Sequence, residues 1–204
     1  DPGTPLGQGL TEEAAQHLGL NPGTAVGVGM IDAHAGAIGT LGAEGLSGVI
    51  GQRLAYVFGT SACTLNVTPE PTFVPGVWGP YHSALLPGLW LNEGGQSAAG
   101  AAIDHLVQSH PFTPEAQRKA DAAGLGLTQW LESRAQVMLD GKSIVDTIAG
   151  LHVVPEYLGN RAPFADPGAR AVVAGLGLEG DEDSLVRLYI AGVVSIGYGL
   201  RQIL

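Results

Sequence analysis

The chain has 204 residues, of which 45% are hydrophobic and 14% charged, enough apolar material for the buried core of one or two globular domains. Nine basic residues against 19 acidic ones give a formal net charge of −10, and no run of Lys or Arg exists to follow a nucleic-acid backbone. Nucleic acid is therefore not an expected partner. A polyphosphate still is, because backbone N–H groups and a metal ion can hold phosphates without lysine.

The 32 glycines follow no period and sit among Val, Leu and Ala, so they read as tight turns and close backbone approaches rather than disorder. One cysteine, Cys63, excludes an internal disulfide framework and fits a reducing compartment. No apolar stretch reaches the roughly 18 residues of a membrane span and no basic, apolar leader is present, which makes the cytoplasm the expected location. The start at Asp1 without Met, and the end at Leu204 inside an apolar helical pattern, read as an internal piece of a longer chain.

Thr11 caps a helix over Glu12–Leu18, with two acids in its first turn and Gly19 as its stop. Asn21-Pro22-Gly23 is a turn. Residues 26–31 read as a buried strand delivering Asp32, and Ala33-His34-Ala35-Gly36 as the start of a small-residue helix. A carboxylate at the carboxyl end of a buried strand is where α/β sheets place chemistry. Residues 39–51 read as turns. Leu54–Phe58 and Leu65–Thr68 read as strands joined by a hairpin turn over Gly59–Ala62. Pro69–Gly88 reads as an irregular aromatic excursion whose Trp78, Tyr81 and His82 either line a pocket or pack on themselves, and Leu89–Asn92 as a short strand. The pattern predicts a helix from Glu93 to Val107, a second from an N-cap at Thr113 with Pro114 in its first turn, and a third over Thr128–Leu139. Val153–Leu158 and Ala171–Leu176 return to strand character. From Asp183 on, Leu185, Leu188, Tyr189, Val193, Ile196 and Leu200 recur at three and four, marking a long buried helix. This order predicts an α/β architecture with a helical insertion.

Two segments carry chemistry. A kinase acting on an alcohol needs a carboxylate to accept the hydroxyl proton, and backbone N–H groups with a hydroxyl to steady the transferred phosphoryl group. Asp32 after its strand and Thr60 in its turn supply those parts. Taken singly, the first is equally a helix N-cap and the second an ordinary hairpin turn. The run from Val28 to Gly36 resembles the segment of the FGGY carbohydrate kinases whose Gly-x-x-Asp motif holds the catalytic base. Gly59-Thr60-Ser61-Ala62-Cys63 resembles that family's second phosphate motif, and Asn92 to Asp104 its strand-to-helix connection. Pro155 to Gly175 resembles the loop after the helical insertion, and Leu188 to Leu200 the long helix of the second domain. Gly-Met-Ile-Asp-Ala-His, Glu-Gly-Gly-Gln-Ser and Gly-Asn-Arg-Ala-Pro together resemble the D-ribulokinase branch most.

The resemblance implies a ribonuclease H-like, actin-like ATPase fold, with residues 1–43 ending the first domain and 50–204 forming most of the second, its helical insertion over about 107–150. It implies ATP and Mg²⁺ as cofactors and phosphorylation of the terminal hydroxyl of D-ribulose. Asp32 would be the catalytic base, Glu93 would face the sugar, and His34 would either bond the substrate or orient Asp32. Gly59, Thr60 and Ser61 would hold the γ-phosphoryl group, and Gly100, Asp104 and Asn160 would lie on the nucleotide side. No residue of this chain is assigned to the metal. The partners implied are the sugar and ATP, with a homodimer as a candidate assembly. Other expected substrates are L-ribulose, xylulose, a pentitol or glycerol. A non-catalytic actin-like scaffold, and a hydrolase using Ser61 or Cys63, are the readings from other classes. The family's first phosphate motif and its adenine loop do not appear in the chain, and Ala191 stands where many members carry Glu, so the piece alone is expected to be inactive. Asp32 and Thr60 are expected to open onto one crevice.

Overall fold

The computed structural model describes residues 2–45 and 48–204, grouped in two compact units. The first takes the chain up to Val57 together with Cys63–Gly94; the second takes Phe58–Ala62 and Gly95–Leu204.

In the first unit, α1 spans Glu12–Leu18 as the sequence predicts, with the Thr11 hydroxyl accepting from the Ala14 N–H. Gly19 ends the helix at φ 65°, a left-handed conformation that glycine adopts without steric cost, and turns its N–H back to the Ala15 and Gln16 carbonyls. Residues 26–31 are not the buried strand expected. They run extended beside residues 3–6 with one β-bridge, Gly27 to Pro5, and Ile31 stays 58% exposed. An apolar run is buried as a strand only when neighbours cover it, and among the described residues this one pairs along one side.

Helix α2 spans Asp32–Leu41, running past the point where turns were expected. Glycine inside a helix costs about 1 kcal/mol, but burial of Ala37 and Leu41 against Leu65, Val67 and Leu91 outweighs it, since one buried Leu contributes about 1.5–3 kcal/mol. The remaining expected turns fall partly on residues 46 and 47, outside the described residues. Strands β1 (Ala55–Phe58), β2 (Ala62–Thr68), β3 (Trp78–His82) and β4 (Trp90–Gln96) form one sheet in the order β1-β2-β4-β3. The hairpin joining β1 to β2 matches expectation. β3 is a strand where an irregular excursion was expected: Gly79-Pro80 masks it, and proline is tolerated because β3 lies at the sheet edge and its register shifts between Trp78 and Tyr81. β4 carries Glu93–Gln96, which the sequence placed in a helix. Between β2 and β3 this segment is a central strand, and cross-strand pairing overrides its local preference. Cys63 is buried in this core, outside any disulfide.

The second unit holds α3 (Gly100–Gln108), α4 (Thr113–Ala122), α5 (Leu127–Leu139), the short α6 (Ile144–Thr147), the antiparallel pair β5 (His152–Val154) and β6 (Val172–Ala174), and α7 (Glu182–Ile203). Both strands are shorter than predicted. Thr113 is the first helical residue of α4 rather than its cap, and its hydroxyl donates to the Val107 carbonyl. In α7, capped by Asp181 and Ser184, the periodicity correctly buries Leu185 and Leu188 beside Leu106, Trp130 and Leu131, and buries Ile196 as well, whereas Val193 is 44% exposed. No helix among the described residues is long and apolar enough to cross a membrane.

Glu182 ties the start of α7 to α4 and α5, accepting from Lys119 Nζ at 2.7 Å and Arg134 Nε at 2.5 Å. The Lys119 hydrogen bond, assisted by Arg134, holds the Glu182 carboxyl below the usual carboxylate range. A carboxylate depressed in the folded state contributes stability above its unfolded pKa of about 4.3 and loses it as pH falls through the folded value. Glu182→Gln is therefore expected to flatten the fall in urea midpoint between about pH 5 and 3, while costing under about 1 kcal/mol at neutral pH. Parallel pH profiles for variant and wild type would remove Glu182 from the acid response.

Candidate active site

Asp32, His34 and Glu93 belong to the first unit. Asp32 is the first residue of α2, exposed, with Oδ1 accepting the Ala33 N–H at 2.8 Å. A carboxylate here sits at the positive end of the helix dipole. Two residues on, about 200° around the helix, His34 points into the unit. Its Nε2 lies 3.0 Å from Glu93 Oε2, and both residues are only 7% exposed. The ring thus engages Glu93 rather than Asp32. A carboxylate withdrawn from water this far requires a partner, and the imidazole supplies one. Trp78 stands directly opposite Glu93 in the β3–β4 register, hence on the same face of the sheet, and is 45% exposed.

Gly59, Thr60, Ser61, Gly100, Asp104 and Asn160 belong to the second unit. The Gly59 N–H donates to the Ser61 carbonyl at 2.9 Å, closing the turn on itself. The opposite edge of the turn caps α3: Gly100 N–H donates to the Gly59 carbonyl at 2.9 Å, and the Ala99 and Ala101 N–H groups donate to the Thr60 carbonyl at 2.9 and 3.2 Å. These are donors that a helix start leaves without internal partners. Gly100 is required at this contact, since a Cβ there would lie 2.7 Å from the Gly59 carbonyl oxygen. Thr60 remains exposed and Ser61 half-buried. Asp104 is exposed one turn along α3 from Gly100, on the same side of the helix. Asn160 is buried, and its side chain serves its own loop: Nδ2 donates to Glu156 Oε1 at 2.7 Å and Oδ1 accepts the Phe164 N–H at 2.9 Å.

Two features escaped the sequence reading. The junction of the Gly59–Thr60 turn with α3 joins segments 40 residues apart, and its visible trace is the small-residue run from Ala98 to Ala102. Gln96, at the end of β4, donates to the Ile196 carbonyl of α7 at 3.2 Å, against Gly199, where a Cβ would collide with the glutamine side chain. His110 and Ser184 resemble a base and nucleophile, with Nε2 and Oγ 3.1 Å apart, but the bonding pattern is structural. His110 Nδ1 accepts the Phe112 N–H, which places the neutral ring's proton on Nε2, and Ser184 Oγ donates to the Asp181 carbonyl. Burial pushes the His110 pKa down, with Asp181 opposing it. Among the described residues no group of three or more His, Cys, Asp or Glu is arranged to hold a metal ion.

The domain model described as the FGGY family of carbohydrate kinases, C-terminal domain, matches residues 54–204. The chain belongs to the FGGY family of carbohydrate kinases. An FGGY carbohydrate kinase domain-containing protein of Homo sapiens is 46% identical over 210 residues, covering 100% of this chain and 38% of the relative. A D-ribulokinase of Saccharomyces cerevisiae is 35% identical over 213 residues, covering 96% of this chain and 30% of that protein. The crystal structure of xylulose kinase from Rhodospirillum rubrum superposes with a TM-score of 0.62 at 26% identity, over 98% of this chain and 35% of that one. The chain thus spans between 30% and 38% of the length of these relatives. Its fold is the α/β, ribonuclease H-like, actin-like ATPase fold of the FGGY kinases.

Proposed function

We propose that the intact protein transfers the γ-phosphoryl group of ATP to the terminal hydroxyl of a ketopentose, D-ribulose, giving D-ribulose 5-phosphate and ADP. The observation that carries this reading is the exposed Asp32 carboxylate at the first turn of α2, the turn whose His34, on another side of the helix, bonds Glu93. ATP supplies the phosphoryl group. Asp32 accepts the proton of the attacking hydroxyl, and Glu93 contacts a second hydroxyl of the sugar. The exposed Thr60 hydroxyl steadies the phosphoryl group on a turn whose shape Gly100 allows, and Asp104 borders the nucleotide. Asn160 contributes by shaping its loop, since its side-chain atoms are already engaged. The chemistry of the turn fits a phosphate: a hydroxyl at Thr60, a side chain absent at Gly59. Mg²⁺ accompanies the nucleotide, and no step is assigned to residues of this chain acting on it. Residues 1–43 belong to the first kinase domain in this reading, and 50–204 to the second.

The 35% identity to a D-ribulokinase supports D-ribulose over the other sugars. Incubating the intact protein with ATP and, separately, D-ribulose, L-ribulose, xylulose, pentitols, glycerol and water is the test. The expected result is phosphorylated sugar, with D-ribulose giving the highest kcat/KM. A higher value for another polyol moves the substrate within the family. Free phosphate without sugar phosphate, or no turnover, would overturn kinase function itself.

A further inference from the structure

We propose that His34 is a positioning residue for Glu93, and that through this contact it governs sugar affinity rather than proton transfer or nucleotide binding. The inference rests on the kinase reading above, in which Glu93 meets the sugar. His34 is 7% exposed and its Nε2 is 3.0 Å from Glu93 Oε2, so the ring is committed to the carboxylate. The two residues are 59 apart in sequence, on α2 and β4, and their contact joins the helix that begins with Asp32 to the strand that presents Glu93. Glu93 lies within the central strand β4, so its backbone is fixed by β2 and β3 on either side. What the strand does not fix is the carboxylate at the end of a flexible side chain. A hydrogen bond from an imidazole on a neighbouring, packed helix restricts that rotation, as outer partners do for other buried carboxylates and imidazoles in polar sites.

The small exposed remainder of the Glu93 side chain, 8%, makes this restriction consequential. A carboxylate so enclosed offers a substrate hydroxyl a narrow angle of approach, and rotation away from it loses the contact. Removing the imidazole acts on binding of the sugar in ground state and transition state alike, so it raises KM more than it lowers kcat. Asp32, exposed on another side of α2, keeps its bond to the Ala33 N–H. Proton acceptance is then largely preserved.

The test compares His34→Ala, His34→Gln, Glu93→Gln and the double variant His34→Ala/Glu93→Gln in the intact kinase. Gln places an N–H donor near the position of Nε2, and the double variant removes the carboxylate's charge together with its partner, which guards against simple unfolding. His34→Ala is expected to raise the KM for D-ribulose roughly 10- to 100-fold, in the range for a hydrogen bond to a charged group, with kcat changed less and the KM for ATP unmoved. His34→Gln is expected to recover most of that loss. The double variant is expected to be no worse than Glu93→Gln alone, because the two residues act through one contact. An unmoved sugar KM in His34→Ala, losses that add in the double variant, or an equal rise in ATP KM would each overturn the positioning role while leaving kinase function standing. Absence of sugar phosphorylation by the wild-type protein would overturn both.

Discussion

Asp32→Asn is expected to lower kcat for D-ribulose roughly 100- to 10,000-fold, the range for loss of a general base, with little change in the sugar KM. That range corresponds to about 3–5 kcal/mol of transition-state stabilisation. Asparagine suits the experiment because its Oδ1 can still accept the Ala33 N–H, so the first turn of α2 keeps its local hydrogen bond. Asp32 is exposed, so substitution leaves no cavity. An unchanged melting temperature beside a collapsed kcat would therefore assign the loss to chemistry. The sugar KM separates this residue from His34: Asp32 acts on the proton in flight and shows in kcat, whereas the imidazole acts on binding and shows in KM. Steady-state kinetics of the full-length enzyme under saturating ATP are sufficient. Turnover within a few-fold of wild type would remove Asp32 as the base and with it the observation on which the proposed reaction rests.

The features legible in the sequence were those that local chemistry decides. Thr11 and Gly19 bound α1 because a hydroxyl satisfies a free N–H at one end and a left-handed residue closes the other. The three-four spacing of Leu185, Leu188 and Ile196 marks α7 because one face of that helix is buried. Misreadings cluster where tertiary pairing overrides local preference. Glu93-Gly94-Gly95-Gln96 leads into a small-residue helix and reads as its first turn, yet β2 and β3 hold it as a strand. Gly79-Pro80 hides β3, and residues 26–31 have the composition of a buried strand without the cover of one. The same limit applies to the site. The motifs around Asp32 and Thr60 are short and local, so both are proposed from the sequence, whereas the partner of His34 is not legible there: nothing local at residue 34 points to residue 93, and Glu93 itself reads as helical. Placing Glu93 on a strand is what brings it to the imidazole.

Gly100→Ala is expected to destabilise the protein by about 1–3 kcal/mol and to raise the KM for ATP, although Ala is the better helix former. The added Cβ would sit 2.7 Å from the Gly59 carbonyl oxygen, and the obstacle is backbone, which cannot swing aside as a side-chain terminus would. Either the first turn of α3 unwinds or the Gly59–Thr60 turn moves. Both outcomes break the bonds from Ala99, Gly100 and Ala101 to the turn and displace the Thr60 hydroxyl. Gly197→Ala in α7 is the matched control: a Cβ there meets nothing within 4 Å, so removing the entropic cost of helical glycine should stabilise the protein by about 0.5–1 kcal/mol. Opposite signs from one chemical change would show that crowding at residue 100, not helix propensity, decides its identity. Thermal denaturation with the ATP KM of both variants measures this. A Gly100→Ala protein as stable as wild type and with unaltered ATP affinity would mean that the turn adapts freely to α3, and that the placement of Thr60 does not depend on the contact.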